Sequence, residues 1–124
     1  MSLFSSEGKI AMGLFDFLKS GKTPKSEAMT LYKSGMAKAE KRDTSGAIAD
    51  YTAAIGVIGV PADIKAMAVY NRGVAYVAAG DKEKGMEDLG QVIRMDGASN
   101  KVKEMAGQKI KRMERRATRG TEES

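Results

Sequence analysis

The sequence predicts an all-α chain: two helical hairpins in tandem, closed by a C-terminal capping helix, five main helices in all. Three observations carry this. Laying SGMAKAEKRDTSGAIADYTAAI, from Ser34, over RGVAYVAAGDKEKGMEDLGQVI, from Arg72, brings small and apolar positions into agreement, the ones that pack. Gly35 falls on Gly73, Ala37 on Ala75, Ile48 on Met86, Tyr51 on Leu89, Ala54 on Val92 and Ile55 on Ile93. Each copy holds two stretches of helical apolar spacing separated by a polar break. The composition agrees: aromatic residues are 6%, Trp is absent, and Met and Ala supply much of the apolar content, a mix suited to closely packed helices.

Taken in order, residues 1–25 hold Gly, Ser and Pro around one short apolar patch, Leu14, Phe15, Phe17 and Leu18, and are expected to form a flexible leader with a brief amphipathic segment. The folded unit is expected over 26–118 and a disordered tail over 119–124. The first helix is expected over Ala28–Lys41. Asp43 or Thr44 is placed to cap the second, Ser45 to about Ile58. Pro61 suits the first turn of a third helix, Ala62–Ala79. Gly80 then fits a helix end and Asp81 the cap of the fourth. Ser99 can cap the last helix, Asn100 to about Thr118. The expected core is Leu31, Tyr51, Ile55, Val69, Tyr76, Leu89, Val92 and Ile93, with Val102, Ala106, Ile110 and Met113 as the matching stripe on the last helix.

Composition excludes whole classes of chemistry. The chain has no Cys and no His, which removes disulfides, thiolate catalysis, Cys-based zinc sites and the commonest general base. No Gly-rich loop precedes a Lys-Ser/Thr pair, and acidic neighbours such as Glu83, Glu87 and Asp88 read as the polar face of a helix. No catalytic residue, metal site or cofactor is expected. No stretch approaches the roughly 20 apolar residues that span a bilayer, so the expected location is the cytoplasm. Net charge is +5, and the excess belongs to the last helix: residues 101–119 carry 8 basic and 2 acidic groups, whereas residues 1–100 carry 13 and 12.

The stretch AVYNRGVAYVAAGDKEKGMEDLGQVIRMDG, residues 68–97, resembles a tetratricopeptide repeat through its Tyr70-Asn71-Arg72-Gly73 run, Tyr76 on the same face, and Gly80-Asp81 at the turn. Residues 28–59 resemble a more degenerate copy that keeps Leu31, Gly35, Ala47, Tyr51 and Ala54 but has Lys38 where the family usually has an aromatic residue. Gly107 follows Gly73 at the family's ordinary period, so the last helix resembles the first helix of a third repeat. Three features depart from the family: Gly85 stands for its usual Ala, Gly97 for its closing Pro, and the interval from Gly35 to Gly73 is longer than its ordinary period. The resemblance implies a short solenoid whose first helices line a concave groove for a protein or peptide.

On that reading the groove comprises Met29, Tyr32, Lys33, Met36, Met67, Tyr70, Asn71, Val74, Lys101, Met105 and Gln108, a mix of adaptable Met, aromatic anchors and polar donors. Asn71 and Lys101 match two donors of the carboxylate clamp found in some family members, but Tyr32, Met36 and Met105 do not match the rest. The expected function is a protein-binding adaptor or scaffold, with a homo-oligomer as one way to extend a short solenoid. The alternative is a nucleic-acid-associated protein using a basic patch of Lys109, Lys111, Arg112, Arg115 and Arg116. A membrane partner is disfavoured, because the apolar patch at Leu14–Leu18 is too short to hold a surface helix firmly.

Overall fold

A computed structural model describes residues 22–123, and all regular structure there is helical. The elements are α1 (Pro24–Glu40), α2 (Thr44–Ile55), α3 (Ala62–Ala78), α4 (Lys82–Arg94) and α5 (Asn100–Glu123). The apolar Leu14–Leu18 patch lies outside the described residues. Each helix packs on the next, and α3 also packs on both α1 and α5.

Helix starts follow from local chemistry. Thr23 caps α1 in a reciprocal capping box with Ser26: each backbone N–H donates to the other's hydroxyl, at 3.1 and 2.9 Å. With Pro24 at the first helical position, this starts α1 ahead of the expected Ala28, inside the stretch assigned to the leader. Asp43 and Asp81, equivalent in the two copies, accept from Gly46 N–H and Lys84 N–H, both at 3.1 Å. Ser99 accepts from Val102 N–H at 3.2 Å. The second helix stops at Ile55, short of the expected Ile58, because Gly56 ends it and the chain runs through Gly59 at φ +83° before Pro61. The longer repeat interval is accommodated by an extra turn at the start of α3, which begins 11 residues before Gly73, whereas α5 begins 7 residues before Gly107. At the other end α5 continues as helix to Glu123, through residues expected to form a tail.

The correspondence between the two copies extends to the turns. Asp43 N–H donates to Lys38 C=O and Asp81 N–H to Tyr76 C=O, each at 2.9 Å, closing both helix ends in the same way. The residue at the left-handed position of that turn is Gly80 (φ +91°) in the second hairpin but Arg42 (φ +64°) in the first. A side chain there costs roughly 1 kcal/mol. Arg42→Gly is accordingly expected to raise stability by about 0.5–1 kcal/mol in a urea titration, and an unchanged or lower midpoint would count against this turn geometry.

The interior has two adjoining parts. Tyr32, Ala47, Tyr51, Ala54, Ala68 and Ala75 form one; Ala66, Val69, Leu89, Val92, Ala98 and Ala106 form the other, with Ile55 packed against both. Of the expected core, Tyr51, Val69, Leu89, Val92 and Ala106 are buried, and Leu31, Ile55, Tyr76, Val102, Ile110 and Met113 are half-buried. Ile93 is a correction: it is 41% exposed, because the inward stripe of α4 runs through Gly85, Asp88, Leu89 and Val92, one position away. Small residues set the helix crossings. A Cβ on Gly35 would stand 2.6 Å from the Tyr51 ring, and one on Gly73 would stand 3.2 Å from Gly85 C=O and 3.3 Å from Leu89. Gly107, the third in this series, has nothing within 4 Å.

Candidate functional site

The first helices of the two hairpins and the last helix touch in the order α1, α3, α5, whereas α2 and α4 do not touch each other. The candidate site is the surface of that row. The structure sorts the eleven residues expected on it into those that hold the row together and those that face outward.

Tyr32 and Asn71 belong to the first kind. Tyr32 is 6% exposed and packs against Tyr51 with ring centroids 5.9 Å apart. Its hydroxyl oxygen accepts from the Asn71 side-chain amide at 2.8 Å, and the same nitrogen donates to Met67 C=O at 3.0 Å. Burial pushes the Tyr32 hydroxyl pKa upward, with the Asn71 hydrogen bond pulling the other way. Tyr32 is thus corrected from ligand anchor to core residue, and Asn71 spends its donor group as a latch between α1 and α3. A phenol at the α1–α3 seam is buried along with its ring, and its oxygen must find a partner there.

Met29, Tyr70 and Val74 are half-buried against the two core regions. The outward-facing set is Met36, Met67 and Met105, at 37, 36 and 38% exposure, with Lys33, Lys101 and Gln108 also exposed. Gln108 donates a hydrogen bond to Glu104 at 3.3 Å within its own helix. Each outward-facing helix therefore contributes one partly exposed thioether, an adaptable and polarizable contact.

The basic patch lies along α5. Lys111, Arg112, Arg115 and Arg116 are exposed and Lys109 is half-buried. Among the described residues the ion pairs are Lys38–Asp50, Arg72–Asp88 and Lys84–Asp81, so none of these five cations is held by a carboxylate there. Open depressions lie beside Lys111, Arg115 and Arg119, and elsewhere beside Ser26, Thr30 and Leu31.

The principal polar feature of the interior carried no role in the sequence reading. Asp88, 4% exposed, accepts from Arg72 Nε and Nη2, both at 2.8 Å, while Nη1 reaches Thr52 Oγ1 at 3.3 Å. One guanidinium thereby ties α3 to α4 and α2, and sits 5.9 Å from the centre of the Tyr76 ring. The equivalent pair in the first hairpin is Ser34 and Asp50, at 2.6 Å, with Lys38 Nζ at 3.0 Å. These contacts, Ser34 first, hold the Asp50 carboxyl below its ordinary pKa. Asp88 is thus a buried partner rather than part of a polar outer face. The signal was present: each acid follows its partner at the same separation, and the two pairs occupy equivalent positions in the two copies.

Among the described residues no group of His, Cys, Asp or Glu is placed to hold a metal ion, and no helix is long and apolar enough to cross a membrane. Compared with known proteins, the chain matches no family model, no curated sequence and no solved structure.

Proposed function

We propose that this chain is a tetratricopeptide-like solenoid of two repeats and a closing helix, and that it acts as a non-enzymatic adaptor in the cytoplasm. It binds a protein segment across α1, α3 and α5. The observation that carries the reading is that three helices touching in a row, α1, α3 and α5, each bear one methionine about one-third exposed, Met36, Met67 and Met105. Support for the repeat assignment comes from the caps, turns and polar contacts that recur at equivalent positions of the two hairpins. The closing role of α5 has a physical basis. When Gly107 is laid on Gly73, Lys103 and Lys111 take the places of Val69 and Val77, so the side on which a further hairpin partner would pack is charged.

The test is selection of binding peptides from a displayed random library on the folded chain. Peptides so obtained are expected to lose about tenfold or more in affinity, about 1.4 kcal/mol, for the Met67→Glu, Met105→Glu double variant. Both side chains are partly exposed, so the unfolding midpoint serves as the control for folding. Selection that yields nothing, or peptides indifferent to both changes, would remove the groove from consideration.

A further inference from the structure

Four of the eight cations of α5 share one stripe of the helix with Met105 and Gln108. Lys101, Met105, Gln108, Arg112, Arg115 and Arg119 follow one another at steps of four and three, the spacing that keeps residues on one stripe of a helix, and all six are exposed. The stripe begins at the methionine face and continues into arginines. It also runs beyond the part of α5 that packs on the described core. The inward stripe of α5 ends at Met113, every residue from Glu114 to Gly120 is exposed, and the helix continues to Glu123, about 15 Å at about 1.5 Å per residue. A closing helix needs a polar outer face for solubility, but mixed charge serves that purpose. Here residues 111–119 carry Lys111, Arg112, Arg115, Arg116 and Arg119 with a single acid, Glu114, before Glu122 and Glu123 follow at the helix end, and none of the five is in an ion pair among the described residues.

We propose that the partner of this face is an acidic peptide segment whose apolar side chains sit on Met67 and Met105 and whose carboxylates run along Arg112, Arg115 and Arg119. The inference rests on the peptide-binding reading above and adds the chemistry of the ligand. Arginine suits it, because the planar guanidinium takes a carboxylate through two parallel hydrogen bonds. A lipid surface does not fit: from Glu114 to Gly120 the helix carries no large apolar side chain to enter an apolar phase. Nucleic acid fits less well than peptide, since α5 has no aromatic residue for stacking bases and the stripe's methionine end has no use for phosphates. Geometry sets the ligand's pattern. Met105 and Arg112 are two helical turns apart, about 10 Å of helix axis, so an extended ligand at about 3.3 Å per residue carries its acids roughly three to six positions from its apolar anchor.

The selected peptides give the test. They are expected to be enriched in Asp and Glu at that distance from an apolar residue. Their affinity is expected to fall about tenfold for Arg112→Gln, Arg115→Gln, Arg119→Gln and to lose most of its salt dependence. Glutamine is close to arginine in helix propensity and these side chains are exposed, so the unfolding midpoint of the triple variant should match that of the wild type. Peptides that depend on Met67 and Met105 but show no acidic enrichment and ignore the arginine changes overturn this inference and leave the groove standing. A synthetic DNA duplex that binds through the same arginines more tightly than the selected peptides also overturns it, assigning the stripe to phosphates.

Discussion

Replacing Arg72 with Met is expected to cost about 3–5 kcal/mol of stability, since it leaves the Asp88 carboxylate buried without the guanidinium that compensates it. Against a total stability of roughly 5–15 kcal/mol, this is enough to leave the chain partly unfolded at ordinary temperature. The size of the loss reflects an abandoned charge more than the net value of the pair. Removing both partners, as Arg72→Met with Asp88→Leu, should therefore recover much of it. Urea unfolding of the two variants measures the difference. Equal losses in the single and double variants would mean that the guanidinium's contacts with Thr52 and the Tyr76 ring, rather than the carboxylate it satisfies, are what the helices require.

Two alanine substitutions are expected to have opposite signs. A Cβ on Gly85 would collide with the Val77 side chain and lie 2.9 Å from Gly73 C=O, a backbone atom with no room to retreat. Gly85→Ala should destabilise by about 1–3 kcal/mol despite alanine's better helix propensity, a midpoint shift of roughly 4–8 °C per kcal/mol for a domain of this size. Gly107→Ala meets nothing and should stabilise by about 0.5–1 kcal/mol. The contrast has a structural origin. Gly35 and Gly73 each face a second helix of their own hairpin, and Gly107 occupies the corresponding place on a helix with no hairpin partner among the described residues. Stabilisation by Gly85→Ala would show that α3 and α4 cross at a wider separation than the approach of Gly85 to Gly73 requires.

Much of the helical architecture was legible, because it is written in features that act locally. The order of five helices, the caps at Asp43, Asp81 and Ser99, and the break at Gly80 follow from residues whose hydrogen-bonding or backbone preferences operate within one turn. Positions that depend on neighbours were harder to read. Tyr32 looked like a groove residue because its helical position is right, but only the approach of α3 turns it inward and supplies Asn71 to its hydroxyl. Ile93 matched Ile55 in the repeat, but the buried stripe of α4 runs through Leu89 and Val92 and leaves Ile93 outside it. Asp88 resembled any acid on a helix surface until Arg72, from the preceding helix, came within 2.8 Å. Pro24 and Thr23 were assigned to a leader, although their capping signature lies in the sequence itself. Of the candidate site, Met36, Met67 and Met105 were picked out through the family resemblance, and their partial exposure is what the structure adds.

Whether α1, α3 and α5 form one receptive face is tested most directly by the methyl resonances of the methionines, labelled with carbon-13, as a selected peptide is added to the intact chain. Met36, Met67 and Met105 are expected to shift together, while Met95 and Met113, which pack against the second core region, stay in place. Saturable shifts confined to Met95 and Met113, or to methyls off the three-helix row, would contradict a shared face.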